Sequence, residues 1–184
     1  MSTYIERPLF GGAIVAKTER NLIDASRVDR DLRQIPDTQE VFLDPNSSVS
    51  VIVEILQRVE PEDPVEAVNF HFKSLAHDND AEKSTVQGTS LVANDRGDAT
   101  PSAILLEGEQ IVRKFNRASA DRVKIFMGLF RVKEKNTDIV VTFNVPIHTT
   151  DDSGEVAPSH VAKYTEDFNV FVRSFEIKDF GLFA

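Results

Sequence analysis

Carboxylates are the side chains of this sequence whose number and placing could do the most chemistry. Thirty Asp and Glu stand against twenty-one Lys and Arg, a formal charge of −9 over 184 residues. Several gather in one stretch: Asp37, Glu40, Glu54, Glu60, Glu62, Asp63 and Glu66. Grouped carboxylates can trade protons with a substrate, hold a cation, or attract a basic protein surface. Proton trading needs partners that the sequence does not supply in a recognisable pattern. His71, His77, His148 and His160 have neither HExxH nor another zinc spacing, and no serine lies in a GxSxG turn. His71, between Phe70 and Phe72, could be a base in an apolar pocket, but a packing or surface role suits it better.

Cation binding fares no better. His77-Asp78-Asn79-Asp80 lacks the glycine and the distal glutamate of a calcium loop and reads as a turn that ends a helix. The absence of cysteine excludes disulfides, thiolate metal sites and cysteine nucleophiles. Neither a GxxxxGK[ST] loop nor a GxGxxG turn is present, so no nucleotide is bound by those routes. Arg96-Gly97-Asp98 and Asp179-Phe180-Gly181 spell an adhesion tripeptide and a kinase motif without the context of either. No catalytic group, metal or cofactor is therefore expected. The negative charge also repels nucleic acid and anionic membrane, which leaves a basic protein surface as the natural partner.

The elements that must carry these carboxylates follow from periodicity and turn chemistry. Leu9 to Ala16 reads as a first strand, with Gly11-Gly12 marking a bulge or a close backbone approach. Glu40 to Leu43 is a short strand closed by Asp44-Pro45-Asn46-Ser47. From Ser48 to Val59 the spacing of Ile52, Ile55, Leu56 and Val59 predicts a helix, with Glu54, Gln57 and Arg58 turned to solvent. Asp63-Pro64-Val65-Glu66 predicts the start of a second helix running to Ala76, with Asp63 as its cap. Strands are predicted at Ser84 to Ala93, Ser102 to Phe115, Val123 to Val132 and Asp138 to Val145. The last two are nearly continuous apolar runs, as strands covered on both faces are; Lys133 to Asn136 turns between them, and Pro146 ends the second. A final helix runs from Ser159 to Phe175, with Val161, Tyr164, Phe168, Phe171, Val172 and Phe175 on one side. The expected fold is α+β, an antiparallel sheet flanked by helices on both faces in three layers.

No repeat or linker divides the chain, so residues 1–184 are expected to form a single domain. No run approaches the about 18 apolar residues of a membrane span, and the segment from Met1 to Arg7 lacks the blocks of a signal peptide. A cytosolic or nuclear protein is expected.

Several ordered segments resemble one family. Leu9-Phe10-Gly11-Gly12-Ala13-Ile14, Ile23-Asp24-Ala25-Ser26, Ile35-Pro36-Asp37-Thr38-Gln39-Glu40-Val41-Phe42, Val51-Ile52-Val53-Glu54, the run Asp138 to Pro146 and the ending Leu182-Phe183-Ala184 are similar to the Mog family of small nuclear import factors, which bind the Ran GTPase and promote release of its guanine nucleotide. The resemblance implies an antiparallel sheet flanked by helices, related to PsbP-like proteins. It implies Ran as partner, alone or with another Ran-binding protein, a monomer, and residence in nucleus and cytoplasm. It also implies an acidic Ran-binding surface whose matching positions here are Glu54, which keeps the family's charge, and Gln57, which stands where the family has a glutamate; Asp37, Glu40 and Arg58 near them complete the expected site. Arg27 to Gln34 are extra residues beside that site. A competing reading is a small-molecule-binding or assembly protein of PsbP-like fold, which would need a deep cavity with converging polar groups.

Overall fold

A computed structural model describes residues 3–25, 35–113, 118–151 and 153–184. The expected extra segment, Arg27 to Gln34, lies outside these residues, as do Ser26 of the family-like run and the expected strand end at Phe115.

The longest apolar runs make the centre of the molecule. Strands β1 (Tyr4–Leu9) and β2 (Ile14–Glu19) form a hairpin, to which β10 (Glu176–Ile177) adds a third strand. The other strands are β3 (Ile23–Asp24), β4 (Gln39–Leu43), β5 (Ser50–Gln57), β6 (Ala81–Val92), β7 (Ala103–Val112), β8 (Asp121–Val132) and β9 (Thr137–His148). They form a seven-stranded sheet in the order β3-β4-β5-β9-β8-β7-β6, with every neighbouring pair antiparallel. Helix α1 (Pro64–Asp78) packs on one face and α2 (Pro158–Ser174) on the other. The three-layer α+β arrangement read from the sequence is what the chain adopts.

Alternation sorts the side chains between the two helices. Ile139, Val141 and Phe143 of β9 join Phe126 and Phe130 of β8 on the α2 face. Val140, Ile125, Met127 and Leu129 join Phe72 of α1 on the other. Phe143 meets Phe168 and Phe171 edge-on, at ring-centre distances of 5.3 and 5.8 Å, and Phe130 stacks on Phe175 at 4.0 Å. Each such side chain contributes roughly 1.5–3 kcal/mol by leaving water. Gly108 of β7 lies where Phe72 comes closest, since a Cβ there would fall 2.7 Å from the ring.

Three expectations change, and one coincidental motif gains a structural role. The Leu9–Ala16 strand is split: Leu9 ends β1, Ile14 begins β2, and between them Phe10, Gly11 and Gly12 turn with φ of 50, 68 and 91°, left-handed backbone that favours glycine. The predicted helix over Ser48–Val59 is a strand, so among the described residues α1 is the one helix on its side of the sheet. Val51, Ile52, Val53 and Ile55 are β-branched, and the buried pair Val51 and Val53 keeps strand spacing, so the apparent helical stripe combines residues from both faces of β5. Pro146 does not end β9, which continues to His148 past an irregularity opposite Arg122 and Val123. The Arg96-Gly97-Asp98 tripeptide has a structural role: Arg96 bonds Asp98 and donates to the carbonyls of Arg173 and Phe175 at the end of α2.

Candidate partner-binding site

The expected site falls on the β4–β5 ribbon and the turns at its end. Register fixes its geometry. Gln39 lies opposite Glu54 and Glu40 opposite Val53, and the pairing continues to Thr38, whose carbonyl accepts the Ile55 amide at 2.9 Å. Because strand side chains alternate, Glu54 and Gln57, three residues apart, point to opposite faces, whereas a helix would have set them side by side. The structure therefore divides the five residues.

Glu54 stands on the α1 face, half-buried. Its Oε1 accepts a 2.6 Å hydrogen bond from Gln39 Nε2. Burial pushes its carboxyl above the usual range, against the Gln39 bond; the negative charge of Asp78 adds to the rise and His71 opposes it. The group thus sits where ionisation is costly, and the bond it accepts comes from a neutral amide.

Glu40 occupies the other face. Its Oε1 accepts the Phe10 amide at 2.6 Å and so holds the left-handed β1–β2 turn. That is the local backbone duty a carboxylate at such a junction can have. Asp37 is exposed in the turn before β4. Phe10, Gly11, Ile35, Asp37, Glu40 and Leu182 line a surface depression of about 430 Å³ together with Pro36 and Gln39. Three segments far apart in sequence converge there, and Gln39 links the depression to Glu54.

Gln57 is exposed at the end of β5. Arg58 follows it; its amide donates to the Asn136 carbonyl at 2.9 Å and its guanidinium pairs with Glu62, while Nε is buried without a hydrogen-bond partner. The chain then turns into α1, where Asp63 caps the helix by accepting the Glu66 amide at 2.9 Å, with Pro64 at its first position, as the sequence predicts.

Sequence reasoning missed two groups. Gln39 becomes part of the site only through the β4–β5 register. Asp138 and Arg131 form a buried ion pair that also engages His71. A signal for the pair was present, because the two stand symmetrically about the Lys133–Asn136 turn, which brings opposite charges face to face. A separate cleft of about 300 Å³ beside α2, lined by Leu105, Phe126, Thr165 and Phe168 among others, contains one carboxylate, Glu107. His71 is not in it. No cluster of three or more metal-ligating side chains occurs among the described residues, and no helix among them is long and apolar enough to cross a membrane.

The class defined by these features is an α+β protein whose candidate site is a charged margin of an antiparallel sheet. Residues 7–146 match the family described as Ran-interacting Mog1 protein, and the chain belongs to that family. It is 34% identical to the Ran guanine nucleotide release factor of Danio rerio, over 98% of this chain and all of the relative. It is 31% identical to the probable Ran guanine nucleotide release factor of Dictyostelium discoideum, over 99% and 97% of the two chains. The solved structure of the Ran-binding protein Mog1p of Saccharomyces cerevisiae superposes with a TM-score of 0.77 at 26% identity, covering both chains completely.

Proposed function

We propose that this chain binds the Ran GTPase and promotes release of its guanine nucleotide in support of nuclear protein import. Relatives named for that activity, aligned over nearly the whole chain, support the reading. The observation that supports this reading at the candidate site is Glu54, a carboxylate kept half-buried at a sheet margin, with a neutral amide as its hydrogen-bond donor. A cation from a partner would relieve that cost and gain a charge-assisted bond.

The mechanism is linkage. A protein that binds nucleotide-poor Ran more tightly than nucleotide-loaded Ran weakens the nucleotide by the same factor, with no bond made or broken. Glu54, Gln57, Arg58 and Asp37 form the contact surface in this reading. Glu40 contributes by holding the Phe10 turn beside Asp37. Residues 1–184 act as one Ran-binding domain and as a monomer, in nucleus and cytoplasm, without metal, cofactor, nucleic acid or membrane, on Ran alone or together with another Ran-binding protein.

Release of labelled GDP and GTP from Ran tests the proposal. The wild type is expected to speed release in a concentration-dependent way. Glu54→Arg is expected to slow it roughly tenfold at matched concentration, as reversal of a close interfacial charge does. Equal rates for the two proteins remove Glu54 from the mechanism. Absence of any complex with Ran at micromolar concentration and low salt removes the function.

A further inference from the structure

One buried carboxylate ties the candidate site to the centre of the fold. Asp138 is completely buried. Its Oδ1 accepts Arg131 Nε at 2.8 Å, and its Oδ2 accepts Arg131 Nη2 at 3.0 Å. Oδ2 also accepts the Val59 amide at 3.2 Å and lies 2.8 Å from His71 Nε2, which must be the donor because an ionised carboxylate only accepts. Arg131 in turn donates to the carbonyls of Val59, at 3.3 Å, and Pro61. Groups from β8, β9, α1 and the β5–α1 connection therefore meet at one point.

A buried ion pair is weak evidence for stability alone, since an apolar pair of similar volume often stabilises as well. Charged hydrogen bonds add direction. Here the bonds grip Val59 from both sides, amide to Asp138 and carbonyl to Arg131, immediately after Arg58. The same Arg58 has its amide on Asn136 in the β8–β9 turn and, with Nε buried and unbonded, pairs its guanidinium with Glu62 just past the gripped segment, so its side chain follows the placement of that segment.

We propose that Arg131, Asp138 and His71 are positioning residues for partner binding: they fix Gln57, Arg58 and the entry to α1 in one arrangement before the partner arrives. A surface fixed in advance loses less conformational freedom on binding. The inference rests on the Ran-binding reading above and adds to it a set of buried residues that never touch Ran.

Arg131→Lys keeps the charge opposite Asp138 but cannot span the carboxylate and both carbonyls. His71→Phe, as a second variant, cuts only the α1 arm and leaves the ion pair. In Arg131→Lys, amide exchange at Val59, Glu60 and Glu62 is expected to rise at least tenfold, while Leu129 and Val141 in the hairpin exchange as in the wild type. Affinity for Ran is expected to fall roughly fivefold. Arg58→Ala is expected to weaken the wild type and to add nothing in the Arg131→Lys background, a non-additivity that general loss of stability does not produce. Unchanged exchange over 59–62 in both variants, or full additivity with Arg58→Ala, overturns the inference. Failure of the wild type to bind Ran overturns the functional reading and the partner-directed half of this one, and the exchange data still decide whether these residues hold the segment.

Discussion

The β8–β9 hairpin and the β4–β5 ribbon are both antiparallel pairs in the same sheet, yet they differ in what their side chains are for. Every residue of β8 from Ile125 to Val132 and of β9 from Thr137 to Phe143 is buried, and each face has a helix against it. In β4–β5 one face packs into the α2 core through Phe42, Val51 and Val53, while Gln39, Val41, Ile52 and Glu54 opposite are only partly covered. Apart from Arg131 and Asp138, whose bonds reach the β5–α1 connection, the hairpin's side chains serve the fold. The ribbon keeps a carboxylate where the fold would be better off without its charge, which is the arrangement expected of a surface selected for a partner.

The largest effect that would sharpen this contrast is a cavity in the hairpin. Phe130→Ala removes a ring stacked at 4.0 Å on Phe175 and should cost about 3–5 kcal/mol in denaturant unfolding. The fraction that remains folded should release nucleotide from Ran like the wild type. A loss of binding beyond the loss of folded protein would show that the two regions are not separable.

Acid gives the next largest effect. Burial alone would raise the Asp138 carboxyl, but the bonds from His71, Arg131 and the Val59 amide outweigh it and hold the group down to about 2. An unfolded aspartate titrates near 3.9, so this group's stabilisation is complete above that value and is lost as pH falls through about 2. The loss is of the order of 2–3 kcal/mol. Unfolding free energies measured between pH 5 and 2 should show it in the wild type, and Asp138→Asn, less stable at neutral pH, should flatten that limb.

The same contrast governs what could be read from the sequence. The β8–β9 hairpin was legible because a strand buried on both faces is a continuous apolar run, and because Lys133–Asn136 breaks it with turn residues. Helix α1 was legible from Asp63 and Pro64, and α2 from an aromatic stripe of helical period. The β5 strand was not, because a half-buried strand carries apolar residues on both faces at irregular intervals, and Ile52, Ile55, Leu56 and Val59 match helical spacing by accident. Its β-branched content was the better guide. That one misassignment grouped Glu54 with Gln57, which the strand sets apart. Glu40's bond to Phe10 and Gln39's bond to Glu54 depend on register and on a turn thirty residues away, and no local pattern records either.

Glu54→Gln tests the ribbon from the opposite side to Phe130→Ala. Because burial raises this carboxyl in the folded chain, the folded state favours its protonated form: the benefit is full below the unfolded value of about 4.3 and is lost as pH rises through the folded one. At neutral pH the neutral substitute should therefore stabilise the fold, by less than about 1 kcal/mol. Ran binding should weaken by about 1–3 kcal/mol as a charge-assisted bond is lost. Thermal unfolding and titration calorimetry on the same sample check both signs, and a variant that loses stability as well as binding would mean that Glu54 serves the fold.

The smallest effect belongs to Gln57, where the family resemblance implies a glutamate. Strand alternation turns Gln57 away from Glu54, so a carboxylate there does not share a face with the half-buried one and meets little repulsion from it. The position is exposed, and an exposed interfacial charge adds up to about 1 kcal/mol. Gln57→Glu should leave stability unchanged and tighten Ran binding by up to about that amount. Its gain should appear mainly in the association rate and fade as salt is raised, whereas the loss in Glu54→Gln should lie mainly in dissociation and persist. Association and dissociation rates at low and moderate salt separate the two. Should both substitutions act on the same rate with the same salt dependence, Glu54 and Gln57 would belong to one exposed cluster and the division of the ribbon into two faces would have no functional meaning.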